Sequence, residues 1–162
     1  MRKEILPTIT ACLVLMSGTA FGTTTTTTFT VQMTITASCV INSASTLNFG
    51  SQGVLAAAVN ATSTIQVQCT NTTPYNIGLN AGTATGATVT TRKMTNASNT
   101  ISYALYSNAG MTINWGNTVG TDTVSATGNG AAQSYTVFGQ VPAQTTPAPA
   151  AYTDTITVTV TY

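Results

Sequence analysis

The side chains that carry most enzyme chemistry are scarce in this sequence. Histidine does not occur, and the 162 residues hold four Lys or Arg, three Asp or Glu and three Cys. Without histidine, neither the usual nucleophilic triads nor histidine-ligated metal sites can be built. Asp122 and Asp154 are the only carboxylate side chains beyond the first few residues, and each lies between two threonines. Asp154 is placed to cap or pin the start of the last strand, a commoner role than proton transfer in such a context. Gly128-Asn129-Gly130 lacks the lysine and following helix of a phosphate cradle. Arg92-Lys93 reads as a solvated turn, or as a contact for an anionic surface. Trp115 with Tyr103, Tyr106 and Tyr135 reads as core aromatics at strand spacing, or as a platform for stacking sugars. Asn60-Ala61-Thr62, Asn71-Thr72-Thr73 and Asn96-Ala97-Ser98 match the glycosylation triplet, but a chain so rich in Asn and Thr produces such matches by chance. The expectation is a protein that is not an enzyme, with no catalytic residue, cofactor or metal ligand. With no basic patch to meet phosphates, nucleic acid is excluded as a partner.

What must be positioned, then, is surface for assembly. Residues 1–22 read as a secretory signal: Arg2 and Lys3 supply the positive start, Ile9 to Met16 is largely apolar, and Ala20-Phe21-Gly22 offers small residues to a signal peptidase. Cleavage after Ala20 fits equally well. Ile9-Thr10-Ala11-Cys12 is no lipoprotein site, because most of the apolar run follows the cysteine. Removing the signal leaves four charged side chains, Arg92, Lys93, Asp122 and Asp154, with a net charge of zero. A soluble domain carries about a quarter charged residues, and near-zero net charge favours association. About 140 residues remain, enough for one domain with a real core. Two cysteines also remain. In an oxidising compartment Cys39 and Cys69 read as one disulfide, the alternative being two buried free thiols.

The pattern along the chain has a period of two. Threonine supplies 38 residues and Asn and Gly punctuate the segments, a composition for strands and turns. Strand-like segments are Cys39-Val40-Ile41, Leu47-Asn48-Phe49-Gly50, Ile65 to Cys69, Tyr75 to Leu79, a weaker one through Val89 to Met94, Ile101 to Tyr106, Tyr135 to Val141 and Tyr152 to Tyr162. Leu55 to Ala61 is Ala-rich enough for one helical turn. The three prolines of Pro142 to Ala151 exclude a central strand there. Many short strands at this spacing make an all-β sandwich. At the front, after six consecutive threonines, Phe29, Val31, Met33 and Ile35 share one face of a strictly alternating run, the pattern of a half-buried strand on a loose tether. Two readings stand: it is the first strand of its own sandwich, or it completes the sheet of a neighbour by strand addition.

The order of these segments, with Val67-Gln68-Cys69, Arg92-Lys93-Met94, Tyr103-Ala104-Leu105-Tyr106, Trp115-Gly116, Tyr135 to Pro142 and Tyr152 to Val160, resembles the spore coat protein U domain family over nearly the whole mature chain. That family is similar to the subunits of archaic chaperone–usher pili of Gram-negative bacteria. The resemblance implies an immunoglobulin-like β-sandwich of six strands, incomplete for want of its final strand and completed by donor-strand exchange. By the same analogy residues 23–38 are the donor segment, with Phe29, Val31, Met33 and Ile35 as donor residues, and residues 39–162 are the pilin domain. The strand ending in Tyr162, with Ile156, Val158 and Val160, borders the acceptor groove and meets the chaperone. The implied partners are neighbouring pilin subunits, a periplasmic chaperone and an outer-membrane usher. The implied route runs through the periplasm to a surface pilus serving adhesion and biofilm formation. A single domain points to a shaft or adaptor subunit. The alternatives are a secreted, self-complemented module binding a surface or carbohydrate, and a spore or cell coat protein. Ala150-Ala151 departs from the family pattern, which has a glycine just before the tyrosine.

Overall fold

The computed structural model describes residues 21–162. The expected secretory signal lies, but for Phe21 and Gly22, outside the described residues. The chain divides into two units, Met1–Thr34 and Ile35–Tyr162. In the first, residues 21–34 form no strand, and every one is exposed.

The second unit contains eight strands and no helix: β1 (Cys39–Ala44), β2 (Val59–Cys69), β3 (Pro74–Leu79), β4 (Arg92–Asn96), β5 (Asn99–Tyr106), β6 (Val124–Thr127), β7 (Ala132–Val141) and β8 (Val158–Thr161). They build a five-stranded sheet in the order β1-β2-β7-β5-β4 and a three-stranded sheet in the order β6-β3-β8. All named pairings are antiparallel. Eight strands replace the six expected. The one helical turn expected over Leu55 to Ala61 is absent, because Val59 already opens β2 and pairs with Val141.

Alternation decides which side chains enter the core. Ile65, Val67 and Cys69 of β2, Val137 and Val141 of β7 and Tyr103 and Leu105 of β5 are buried, and meet Tyr75, Ile77 and Leu79 of β3 and Trp115. Apolar area removed from water stabilises at about 25 cal/mol per Å², so this two-sided interior is the main source of the unit's stability. Trp115 is fully enclosed and its Nε1 donates to the Ile77 carbonyl at 2.8 Å. With Tyr103 buried as well, the core reading of the aromatics holds for these two. Cys39 and Cys69 face each other across β1 and β2 and are disulfide-bonded, with Cα atoms 4.1 Å apart. The bond ties the edge strand to the sheet where the chain enters the domain, and Ser38 adds backbone hydrogen bonding to Thr70.

Two expected strands differ. Leu47 to Gly50 has no ladder partner, although Leu47 and Phe49 still turn inward while Thr46, Asn48 and Gly50 face solvent. Tyr152 to Tyr162 keeps its alternating burial through Val160, but only Val158–Thr161 is strand. Thr153 bridges Thr95 beside β4, whereas Val158 to Thr161 pair with β3. The run therefore crosses from one sheet to the other, and the crossing segment cannot hold a continuous ladder with either.

Candidate functional site

The two sheets do not close on one side. β1, with the unpaired stretch that follows it, forms one wall, and β8 forms the other. Between them lies a cleft of about 310 Å³ bordered by Ala44, Leu47, Phe49, Ile156 and Val158, with Ile65, Leu79, Tyr103, Leu105 and Val137 as its floor. Phe49 also borders a second cavity, of about 760 Å³, set among the 48–55 and 146–152 loops, Met94 and Ile101. Ile41, opposite Val67 on β1, is 41% exposed.

The walls are held by specific contacts. Gly139, buried on β7, lies under Leu47 and Phe49: a Cβ there would come within 2.7 Å of a Leu47 methyl and 3.0 Å of the Phe49 ring. Absence of that carbon lets the unpaired stretch lay both side chains on the sheet. On the opposite wall, Asn80 ends the β3–β8 ladder with its side chain. Its Oδ1 accepts from the Thr157 amide at 2.9 Å and from Gly82 at 3.2 Å. β8 pairs with β3 along one edge only. Its other edge offers unpaired backbone groups, the template for another strand.

Asp154 pins the segment leading to β8, as its sequence context implied. It accepts from the Thr83 amide and hydroxyl at 2.9 and 3.0 Å, the Thr155 amide at 2.8 Å and the Tyr103 hydroxyl at 2.7 Å. Burial, and then the bond to Asp154, hold the Tyr103 phenol far above the ordinary tyrosine value.

Arg92 corrects the sequence reading. It is no solvated turn but a fully buried side chain on β4, registered with Tyr103 of β5. Its guanidinium donates to the carbonyls of Asn80 (2.8 Å), Val89 (2.6 Å), Leu79 (2.9 Å) and Trp115 (2.7 Å). Burial lowers its pKa, opposed by the fields of Tyr103, Asp154 and Asp122. The missed signal was parity, since Arg92 stands two residues before Met94 and so shares its inward face.

The sequence-derived residues distribute as follows. Ile156, Val158 and Val160 are half-buried against the core, and Tyr162 is 59% exposed. Phe29, Val31, Met33 and Ile35 are 87%, 84%, 85% and 73% exposed. Of the residues that sequence reasoning set beside a groove, Ile156 and Val158 line the cleft and Val160 and Tyr162 do not, and the facing side, Ala44, Leu47 and Phe49, was not anticipated. Among the described residues no group of three His, Cys, Asp or Glu could hold a metal.

The family model for the Spore Coat Protein U domain matches residues 25–159. Among solved structures the chain is similar to one chain of the CsuC-CsuE chaperone–tip adhesion subunit pre-assembly complex, from the archaic chaperone-usher Csu pili of Acinetobacter baumannii. That likeness has a TM-score of 0.58 at 28% identity and covers 80% of this chain. The present chain spans 40% of the length of that one. No curated protein matches. The all-β architecture is thus an immunoglobulin-like sandwich. With a match running from the threonine tract nearly to the last strand, the chain belongs to the Spore Coat Protein U domain family.

Proposed function

We propose that this protein is a structural subunit of a surface pilus, assembled by the chaperone–usher pathway through donor-strand exchange. One observation carries the reading: a sandwich left open beside β8, in a chain whose N-terminal segment exposes four alternating apolar side chains. Residues that alternate toward a core yet lie in solvent are costly to leave there. The groove supplies what they lack, apolar walls and an unpaired strand edge. The spacing matches, with Phe29, Val31, Met33 and Ile35 alternating as do the half-buried Ile156, Val158 and Val160 of the facing edge. Four such side chains contribute up to roughly 6–12 kcal/mol when fully buried, beside a new hydrogen-bond ladder. The donor comes from the next subunit, and repetition of this head-to-tail contact without closure makes a fibre.

The likeness to a chain of a chaperone–subunit complex supports the remaining steps. A periplasmic chaperone covers the groove and contacts the strand ending in Tyr162. An outer-membrane usher then exchanges it for the donor segment, residues 23–38, and the finished fibre serves adhesion and biofilm formation. The role in this reading is structural, which the family match and the likeness to a chain of a pilus pre-assembly complex support. The test is an SDS gel of unboiled surface extract. Donor-strand fibres resist the detergent and run as a ladder of multimers that collapses on boiling. A single monomer band before boiling would instead identify a self-complemented module.

A further inference from the structure

We infer that Met33 is an oxidation site that controls whether a subunit can act as a donor. The inference rests on the donor-strand reading. Met33 is 85% exposed. Met94 packs against the core, and Met111 is half-buried with Gln140 Nε2 3.4 Å from its sulfur. Among the described residues Met33 is therefore the thioether most open to an oxidant, and it sits at an inward position of the alternating run, between Val31 and Ile35.

The oxidant is a peroxide, the class an exported protein meets outside the reducing cytoplasm. A lone pair of the Met33 sulfur attacks one peroxide oxygen. The S–O bond forms as the O–O bond of hydrogen peroxide breaks, the proton on the attacked oxygen passes to the departing hydroxide, and the products are the sulfoxide and water. The product is polar and strongly hydrogen-bonding where the thioether was apolar. In the groove the apolar side chains, Ile156, Val158, Leu47, Phe49 and the floor residues, outnumber the hydroxyls of Ser45, Thr46, Ser63 and Thr155. The Tyr103 hydroxyl is already given to Asp154, so the sulfoxide oxygen trades water for a mostly apolar wall. Burying an unpaired polar group weakens binding by about tenfold to a hundredfold. An oxidised subunit keeps its own groove and still accepts a donor, but cannot donate. Insertion buries the sulfur, so an assembled fibre is protected.

The test uses the full chain carrying Val31→Asp as acceptor. Val31 is 84% exposed, so the change leaves the folded unit and its groove intact. Three labelled peptides spanning Thr27–Ser38 are titrated into it, with Met33, with its sulfoxide, and with Met33→Leu, and binding is followed by fluorescence anisotropy. The expected result is equal binding of the Met and Leu peptides and binding of the sulfoxide weaker by tenfold or more. Equal binding of all three overturns the oxidation inference and leaves the donor reading standing. Failure of the Leu and Met peptides as well overturns the donor reading, and the inference with it.

Discussion

A buried guanidinium is expensive unless its nitrogens find acceptors, and in Arg92 each of the three nitrogens does so with backbone carbonyls alone. Those carbonyls belong to Leu79 and Asn80 at the end of β3, to Val89 and to Trp115. One side chain thereby ties three separate chain segments behind the groove floor. Arg92→Met is expected to lower unfolding free energy by roughly 3–5 kcal/mol, because it leaves buried carbonyls unpaired. Arg92→Lys should recover little, since a single ammonium cannot span the same fork. Urea denaturation of the purified subunit measures both, and a wild-type midpoint in either variant would refute this role. Tyr103, the cross-strand neighbour, makes stability fall in alkali. Its folded pKa is raised above the ordinary 10.0, so the folded state keeps a proton that the unfolded state loses. Its contribution is fully present below pH 10 and declines as pH rises beyond it. The depressed Arg92 pKa acts in the opposite direction, in the more alkaline range where a guanidinium releases its proton. Tyr103→Phe should flatten the stability profile between pH 10 and 11.5 relative to wild type, which thermal unfolding at stepped pH will show.

At the scale of elements, the strands with the strongest alternation are legible from local pattern because a pleated strand places successive side chains on opposite faces. β3 and β5 are legible this way nearly to their ends, β7 from Tyr135 onward, and β2 only over Ile65 to Cys69. The pattern does not say whether a strand has a neighbour. Leu47 and Phe49 obey the alternation and are turned inward, yet the stretch has no ladder. Tyr152 to Tyr162 alternates without a break, yet it is divided between two sheets. The proposal for the groove predicts an asymmetry between elements. Val158→Asp places a charge on the groove wall, and the subunit should fail as an acceptor. Val31→Asp should spare folding and the chaperone complex but fail as a donor, with a loss of several kcal/mol at the contact. Thr30→Asp, on the opposite face, should assemble nearly as wild type. Chaperone-bound subunit in the periplasm is compared with polymer on the surface. If Val31→Asp removes both together, the segment completes its own domain and donor-strand exchange is refuted.

For the whole molecule, the expectation concerns salt. Beyond residue 22 the chain carries four charged side chains, Arg92, Lys93, Asp122 and Asp154. Arg92 is buried and Asp154 is bound to Tyr103 and Thr83. An assembly so poor in surface charge and held by apolar burial should be indifferent to screening. Multimer length on the unboiled gel is expected to be the same after molar salt as after dilute buffer, and dissociation in salt would point to an ionic contact instead. The sequence by itself determined the all-β class and the pairing of Cys39 with Cys69. Each depends on composition or on a local period of two, and neither needs a partner to be visible. Tertiary structure decided that Arg92 is internal, that Leu47 to Gly50 lies unpaired and that the sandwich stays open beside β8. Those facts depend on which edges meet across distant parts of the chain. Edge pairing is a contest between backbone groups that are alike in every residue but proline, so only the folded arrangement reveals which of them are left without a partner.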